Sequence, residues 1–249
     1  MGERYSDYDV FARMYDRHWG KQGAGHLELL DEHVLLHVPR GARILDLCCG
    51  TGQLAEILTD RGYRVIGLDG SAAMIEYARR NAPAAEFVVA DARDFRFAEP
   101  FDAVLCMFDS LNHLMEEKDL EQAFRCVSTA LDAGGLFAFD LNMEAKYLHT
   151  WTGDFSVVED EEACIVRAGV LPSERIGWFE TTLFYEEGSG AWSRHDLRLV
   201  QTWYDRETVA RLLGSAGFAA PQTRVKESLP DDRDVAANLL FVTTKEGAA

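Results

Sequence analysis

The apolar positions of the chain change rhythm twice along its length. Tyr8, Phe11, Ala12 and Tyr15 recur at i, i+3, i+4 and i+7, the spacing of one helix face. Leu27, Leu29, Leu30, Val34, Leu35 and Val38 extend the pattern into a second helix that Pro39-Arg40-Gly41 ends, so residues 5–39 read as helical. From Ala42 to about Asn142, short apolar runs alternate with helical stretches. The runs predict strands over 43–47, 64–68, 86–90, 103–107 and 136–141, and residues 118–131 form the clearest helix between the last two. Strand and helix in alternation imply a parallel sheet. Beyond Asn142 the rhythm becomes strand after strand, at 164–170, 176–185 and 193–203, with Gly188-Ser189-Gly190 as a turn. Asp205 then caps a helix that runs to Ala216 and stops at Gly217, and strands near 223–227 and 238–244 close the chain. The expected fold is α/β: a Rossmann-like, doubly wound sheet, mostly parallel with an antiparallel last strand, plus a small antiparallel β insertion. Three regions follow: a helical cap over 1–41, a ligand-binding domain from 42–149 and 202–249, and the insertion over 150–201.

The ends of the first three strands carry the chemistry. Ile44-Leu45-Asp46-Leu47-Cys48-Cys49-Gly50-Thr51-Gly52 is an apolar run, an acid and a glycine turn, followed at once by a helix. Glycine lets a ligand approach the backbone because no Cβ stands in the way, and the helix start offers free N–H groups. Gly50 to Ala55 satisfies the dinucleotide pattern G-x-G-x-x-A. Asp46, however, would repel a diphosphate and attract a nucleoside bearing an ammonium or sulfonium. The second strand ends in Asp69, 23 positions after Asp46, where a carboxylate can accept bonds from ribose hydroxyls. Ser71 then reads as the N-cap of a helix over 72–81. A third strand ends at Asp91.

These residues resemble the class I S-adenosylmethionine (SAM)-dependent methyltransferases. The resemblance rests on Asp46-Leu47-Cys48-Cys49-Gly50-Thr51-Gly52, Gly67-Leu68-Asp69-Gly70-Ser71, Ala90-Asp91-Ala92, Phe101-Asp102-Ala103-Val104 and the turn Asp132-Ala133-Gly134-Gly135, and spans roughly residues 42–142. It implies that the glycine loop meets the methionine part of the cofactor, that Asp69 holds the ribose, and that Asp91 with Ala92 lies near the adenine. Cys48 stands where the family often has glycine. The implied cofactor set is Tyr15, Asp46, Cys48, Gly50, Gly52, Asp69, Gly70, Met74, Asp91, Ala92 and Met107, with Tyr8 and Tyr15 as a lid. The segment after the fourth strand runs beside the transferred methyl in that family. It offers Asp109 to orient an amine, Asn112 to hold a polar group and His113 to take a proton near neutral pH. Each also has a structural reading: Asp109 or Ser110 as a helix cap, His113 as a hydrogen-bonded side chain, and the tyrosines as core.

Charge narrows the partners. A formal net charge of −17, with no run of Lys or Arg, argues against nucleic acid and against an anionic membrane surface. Five cysteines without metal-ligand spacing read as small buried hydrophobes, and no metal site is expected. The start of the chain has no apolar signal region, although Met1-Gly2 with Ser6 fits a loose acylation pattern, so a cytoplasmic protein is expected. Glu159-Asp160-Glu161-Glu162 reads as a solvated acidic loop, and Asp102 as structural. No basic recognition module and no N-P-P-Y motif after the fourth strand are present, which favours a small-molecule acceptor: an amine or hydroxyl of a metabolite or sugar. The layout is similar to enzymes that methylate amino sugars or other metabolite amines. An NAD(P)-dependent oxidoreductase and a non-catalytic SAM-binding protein are the alternatives. The sequence sets no oligomeric state.

Overall fold

A computed structural model of the chain describes residues 6–20, 27–188 and 190–247. Met1–Tyr5, with most of the acylation pattern, and Ser189 of the glycine turn lie outside the described residues. Two sheets organise the rest. The larger has seven strands in the spatial order β10-β11-β5-β4-β1-β2-β3. Its parallel members are β1 (Arg43–Leu47), β2 (Arg64–Asp69), β3 (Glu86–Val89), β4 (Phe101–Cys106) and β5 (Leu131–Asn142). β11 (Ala236–Thr244) runs antiparallel to β5 and pairs antiparallel with β10 (Gln222–Ser228). Strand order reverses between β1 and β4, which opens a crevice at the carboxyl ends of the strands.

The helices around this sheet follow from local chemistry. α4 (Ala72–Asn81) starts where the Ser71 hydroxyl accepts the Met74 amide at 3.1 Å, and α7 (Arg206–Ser215) where Asp205 accepts from Thr208 at 2.7 Å. α2 (Leu27–His33) buries Leu30, α3 (Gln53–Asp60) follows the glycine turn, and α5 (Glu117–Ala130) buries Leu120, Ala123, Phe124 and Val127 on one face. That face meets Phe137 and Phe139, and Phe139 stacks on Phe241 at 5.2 Å between centroids. Truncating such a ring to alanine costs about 3–5 kcal/mol. Asp102 is structural here, its carboxylate accepting the Arg43 amide at 2.7 Å. Among the described residues no helix is long and apolar enough to cross a membrane.

The second sheet is antiparallel, in the order β6-β7-β8-β9: Gly153–Val158, Glu162–Leu171, Ile176–Glu186 and Trp192–Thr202. The sequence pattern misses β6 because nearly every residue of it is exposed, which removes the alternation a half-buried strand displays. It also misses α6 (Glu144–Thr150), a seven-residue helix with Tyr147 as its buried anchor.

α1 (Ser6–His18) joins the two sheets. Asp9 accepts from the Ser71 hydroxyl at 2.5 Å, and Asp16 accepts from Gln53 and Asn81 at 3.1 and 2.7 Å, tying the helix to the large sheet. On the other side Arg13, Arg17 and His18 reach Glu162 at 2.8, 3.2 and 3.1 Å. Glu162 therefore corrects the reading of its segment as a solvated loop: Glu159, Asp160 and Glu161 are exposed, but Glu162 is fully buried. A buried carboxylate needs such partners, because leaving water unpaired is very costly.

Candidate active site

The turn after β1 sets the first half of the site. Cys48, Gly50 and Gly52 all have left-handed backbone, with φ of 60°, 53° and 87°. The Gly50 amide donates to Asp69 Oδ2 and the Ser71 amide to Asp69 Oδ1, both at 2.9 Å, so the ends of β1 and β2 are held by one carboxylate. Burial raises the Asp69 carboxyl above its usual range, and these two amides oppose the rise. A Cβ at Gly50 would stand 3.4 Å from the Tyr15 ring. A cavity of about 360 Å³ opens here and is lined by Tyr15, Cys48, Gly50, Asp69, Gly70, Met74, Asp91 and Ala92, together with Tyr8 and His113. Asp91 also pairs with Arg93, at 2.9 Å between Nε and Oδ1.

Three expected cofactor residues fall outside this cavity. Gly52 faces α4, where a Cβ would lie 2.9 Å from the Ala78 Cα, so its glycine permits helix packing rather than ligand approach. Met107 is buried behind the loop and reaches a separate space of about 20 Å³. Asp46 lines that same small space. Burial, then the charge of Asp69, pushes the Asp46 carboxyl up to about 8, and its buried Oδ2 has no hydrogen-bond partner among the described residues. The acid read from sequence as an anionic attractant is therefore largely protonated at neutral pH.

A second cavity of about 360 Å³ lies under the small sheet and adjoins the first; Tyr8, Tyr15, Phe108, His113 and Leu199 line both. Phe108 and Asp109, at the end of β4, are two consecutive non-glycine residues with left-handed backbone, φ 67° and 48°. Such backbone costs about 1–3 kcal/mol per residue and clusters at functional sites. Asp109 lines the second cavity, and Gln201 Nε2 donates to its Oδ2 at 2.6 Å. Burial, then the neighbouring Asp140, raises the Asp109 carboxyl to about 7, against opposing effects of Gln201, Lys226 and Lys146. Asp109 begins the 3₁₀ turn Ser110–His113, but its side chain makes no capping bond; Ser110 Oγ instead donates to the Met107 carbonyl at 2.9 Å.

His113 has a fixed tautomer. Its Nδ1 lies 2.8 Å from the Val200 carbonyl, which only accepts, so Nδ1 carries the hydrogen. Nε2 is then an acceptor, and Tyr8 Oη donates to it at 2.7 Å. Burial lowers its conjugate acid to about 4. Asn112 does not reach either cavity. It is fully buried, donates to the carbonyls of Asn142 and Thr202 at 3.1 and 2.7 Å, and accepts from the Asn142 amide at 2.9 Å. Every polar atom of Asn112 is thus spent on backbone, and its expected role on substrate is replaced by one that pins the turn between the two sheets.

Sequence reading overlooks most of the polar lining of the second cavity, Gln201 and Lys226 among it, and Asp140 behind that lining. Gln201 sits in a late strand with nothing in the local pattern to mark it. Lys226 donates from β10 to Asp140 at 2.7 Å. Asp140 carries the one visible signal, a carboxylate inside the buried run Leu136–Asn142.

Residues 44–135 match the family model described as a methyltransferase domain. "Putative methyltransferase YqeM" of Bacillus subtilis (strain 168) is 27% identical over 215 residues, covering 85% of this chain and 86% of that protein. The dTDP-3-amino-3,6-dideoxy-alpha-D-glucopyranose N,N-dimethyltransferase of Streptomyces fradiae is 41% identical over 122 residues, 47% of this chain and 48% of its own. The SAM-bound structure of CalS10, an amino pentose methyltransferase from Micromonospora echinaspora, shares the fold with a TM-score of 0.71 at 23% identity, covering 95% of this chain and 96% of that one. The chain thus carries a methyltransferase domain over residues 44–135, on a fold that it shares with a SAM-bound methyltransferase.

Proposed function

We propose that the enzyme methylates the nitrogen of a small-molecule amine, with amino sugars as the first class to test. The observation that carries this reading is the shared wall between two cavities of equal size, one at the glycine loop and one at Asp109. A methyl group need only cross that wall. The names of similar proteins support the acceptor class, since they include amino-sugar N,N-dimethyltransferases, although the alignments cover about half of those proteins. The formal charge of −17 supports a small acceptor over nucleic acid. Five free thiols accord with a reducing, cytoplasmic compartment.

The first cavity fits a nucleoside cofactor on three counts. Gly50 leaves room that a side chain would narrow against Tyr15, the Asp69 carboxylate is held by two backbone amides with lone pairs to spare, and Met74 and Ala92 give apolar surface. In this reading Cys48, Gly50 and Tyr15 flank the methionine part, Asp69 and Gly70 the ribose, and Met74, Asp91 and Ala92 the base. Bound there, SAM supplies an electrophilic methyl whose leaving group is a neutral thioether, so the protein mainly has to orient the acceptor and exclude water.

The acceptor nitrogen must present a lone pair. A group held near 7 removes a proton from an ammonium better than one held near 4, which assigns proton acceptance to Asp109 and leaves His113 as an oriented, neutral wall. The small sheet closes the acceptor side, with Thr181, Leu199 and Gln201 in the cavity lining, in keeping with an insertion over the acceptor site. The test is turnover of methyl-labelled SAM against matched panels of sugar amines, simple amines and hydroxyl analogues. Label is expected on nitrogen; label confined to hydroxyl acceptors would overturn the reading.

A further inference from the structure

Behind Asp109 stands a buried carboxylate that the chemistry above does not use. Asp140, on β5, is fully buried, and its Oδ2 gathers three donors: Lys226 Nζ at 2.7 Å, Asn238 Nδ2 at 2.9 Å and the Asp109 amide at 3.2 Å. Its Oδ1 has no hydrogen-bond partner among the described residues. A carboxylate and an ammonium placed out of water need a reason, because well-packed apolar residues of similar volume serve stability as well or better. Lys226 has a side chain only 5% exposed, lines the acceptor cavity and lies over the Phe108 ring at 5.3 Å. Both groups of the pair therefore touch the strained Phe108–Asp109 segment.

We propose that Asp140 and Lys226 are a positioning pair that sets the ionisation of Asp109, so that the acceptor chamber takes its amine as an ammonium and removes one proton from it. This rests on the amine reading above and deepens it by naming the form of the substrate that binds. The step balances simply. R–NH₃⁺ gives one proton to the Asp109 carboxylate, leaving R–NH₂ with a free lone pair and Asp109 as a neutral acid, which later returns the proton to solvent.

The groups around Asp109 come from several elements. Asp140 on β5 raises its proton affinity, while Lys226 on β10, Lys146 on α6 and the Gln201 amide on β9 lower it. Tyr8 and Tyr15 on α1 and Tyr147 on α6 stay neutral, their hydroxyls held above the usual range by burial. His113 is neutral, and Glu227 is engaged by Lys146 at 2.6 Å. Asp140 and Lys226 are the two whose charges act on Asp109 from a shared hydrogen bond. The Asp109 amide fixes that geometry, since it donates to the same oxygen that Lys226 engages. The pair balances opposite pulls and keeps Asp109 at a proton affinity from which it can both accept and release near neutral pH.

Two variants separate this role from simple packing. Asp140→Asn keeps size and removes the like charge; Asp140→Asn/Lys226→Met removes both charges and leaves none unpaired. The readout independent of substrate is the carboxylic C=O infrared band of the ligand-free enzyme, titrated against Asp109→Asn as the reference. In Asp140→Asn the Asp109 midpoint should fall by at least about one pH unit, the smaller end of charge effects at this range. In the double variant it should climb back. The acid limb of kcat/KM for amines should move in the same directions, while S-adenosylhomocysteine affinity stays constant, because neither residue lines the cofactor cavity. A midpoint unmoved in Asp140→Asn overturns the pair's role even if amines are methylated. Wild-type enzyme that methylates no amine overturns the functional reading and the ammonium step with it, whatever the titration shows.

Discussion

Tyr8 Oη donates to His113 Nε2 across 2.7 Å, joining α1 to the turn that follows β4 at the wall between the two cavities. With Nδ1–H committed to Val200, His113 has no site left to ionise without losing a bond. Its folded proton affinity lies near 4, below the ordinary 6.5, so the imidazole should stay neutral from pH 5 upward. NMR titration of His113 Cε1 is expected to be flat between about pH 5 and 9. An inflection near 6.5 would return the general-base role to His113. His113→Asn should lower turnover, because it removes the acceptor of the Tyr8 hydroxyl at the wall that both cavities share.

Asp69 ties two strand ends together and faces the cofactor cavity. Asp69→Ala should weaken SAM binding by about 1–3 kcal/mol, the loss expected for a charge-assisted hydrogen bond. Gly50→Val should abolish it, because the backbone there has φ 53° and a side chain would press toward Tyr15. Titration calorimetry measures both, and wild-type affinity in either variant would move the cofactor elsewhere.

Asp46 gives a pH signature in stability. Its folded carboxyl is raised to about 8 from an ordinary 3.8, so the folded state binds a proton that the unfolded chain has released. Stability from this group is full below pH 3.8 and is lost as pH rises towards 8, at about 1.4 kcal/mol per unit within that window. Asp46→Asn should flatten the fall of Tm between pH 5 and 8. An unchanged slope would mean that Asp46 is ionised in the fold.

Glu162 links the N-terminal helix to the small sheet through Arg13, Arg17 and His18. The cations are partly exposed and the acid is not, so removal of Glu162 should cost about 1–3 kcal/mol, less than a fully buried pair. Because α1 carries Tyr8 and Tyr15, Glu162→Ala should also speed amide exchange in α1 and weaken cofactor binding. Thermal unfolding and hydrogen exchange check the two parts separately.

Local chemistry made much of this protein legible in its sequence. A strand must be apolar on both faces when helices cover it, which marked β1, β2, β4 and β5. A left-handed turn calls for glycine, which marked Gly50, and a helix start calls for a cap, which marked Ser71 and Asp205. The direction in which a side chain points depends on partners far along the chain, and those were not legible. Asp46 and Asp69 end adjacent strands with similar local sequence, yet one is sealed behind the glycine loop and the other faces the cavity. Asn112 and His113 are neighbours; packing against β5 and β9 turned the first into a backbone brace and left the second at the cavity wall. Glu162 looked solvated because its sequence neighbours are, and Gln201 looked ordinary because its partner Asp109 lies 92 residues away. The chain determined by itself where strands end and where glycine is required, since those demands act within a few residues. Only the tertiary structure decided which acids ionise and which face a ligand, since burial and charge neighbours are set by contacts that the order of residues does not display.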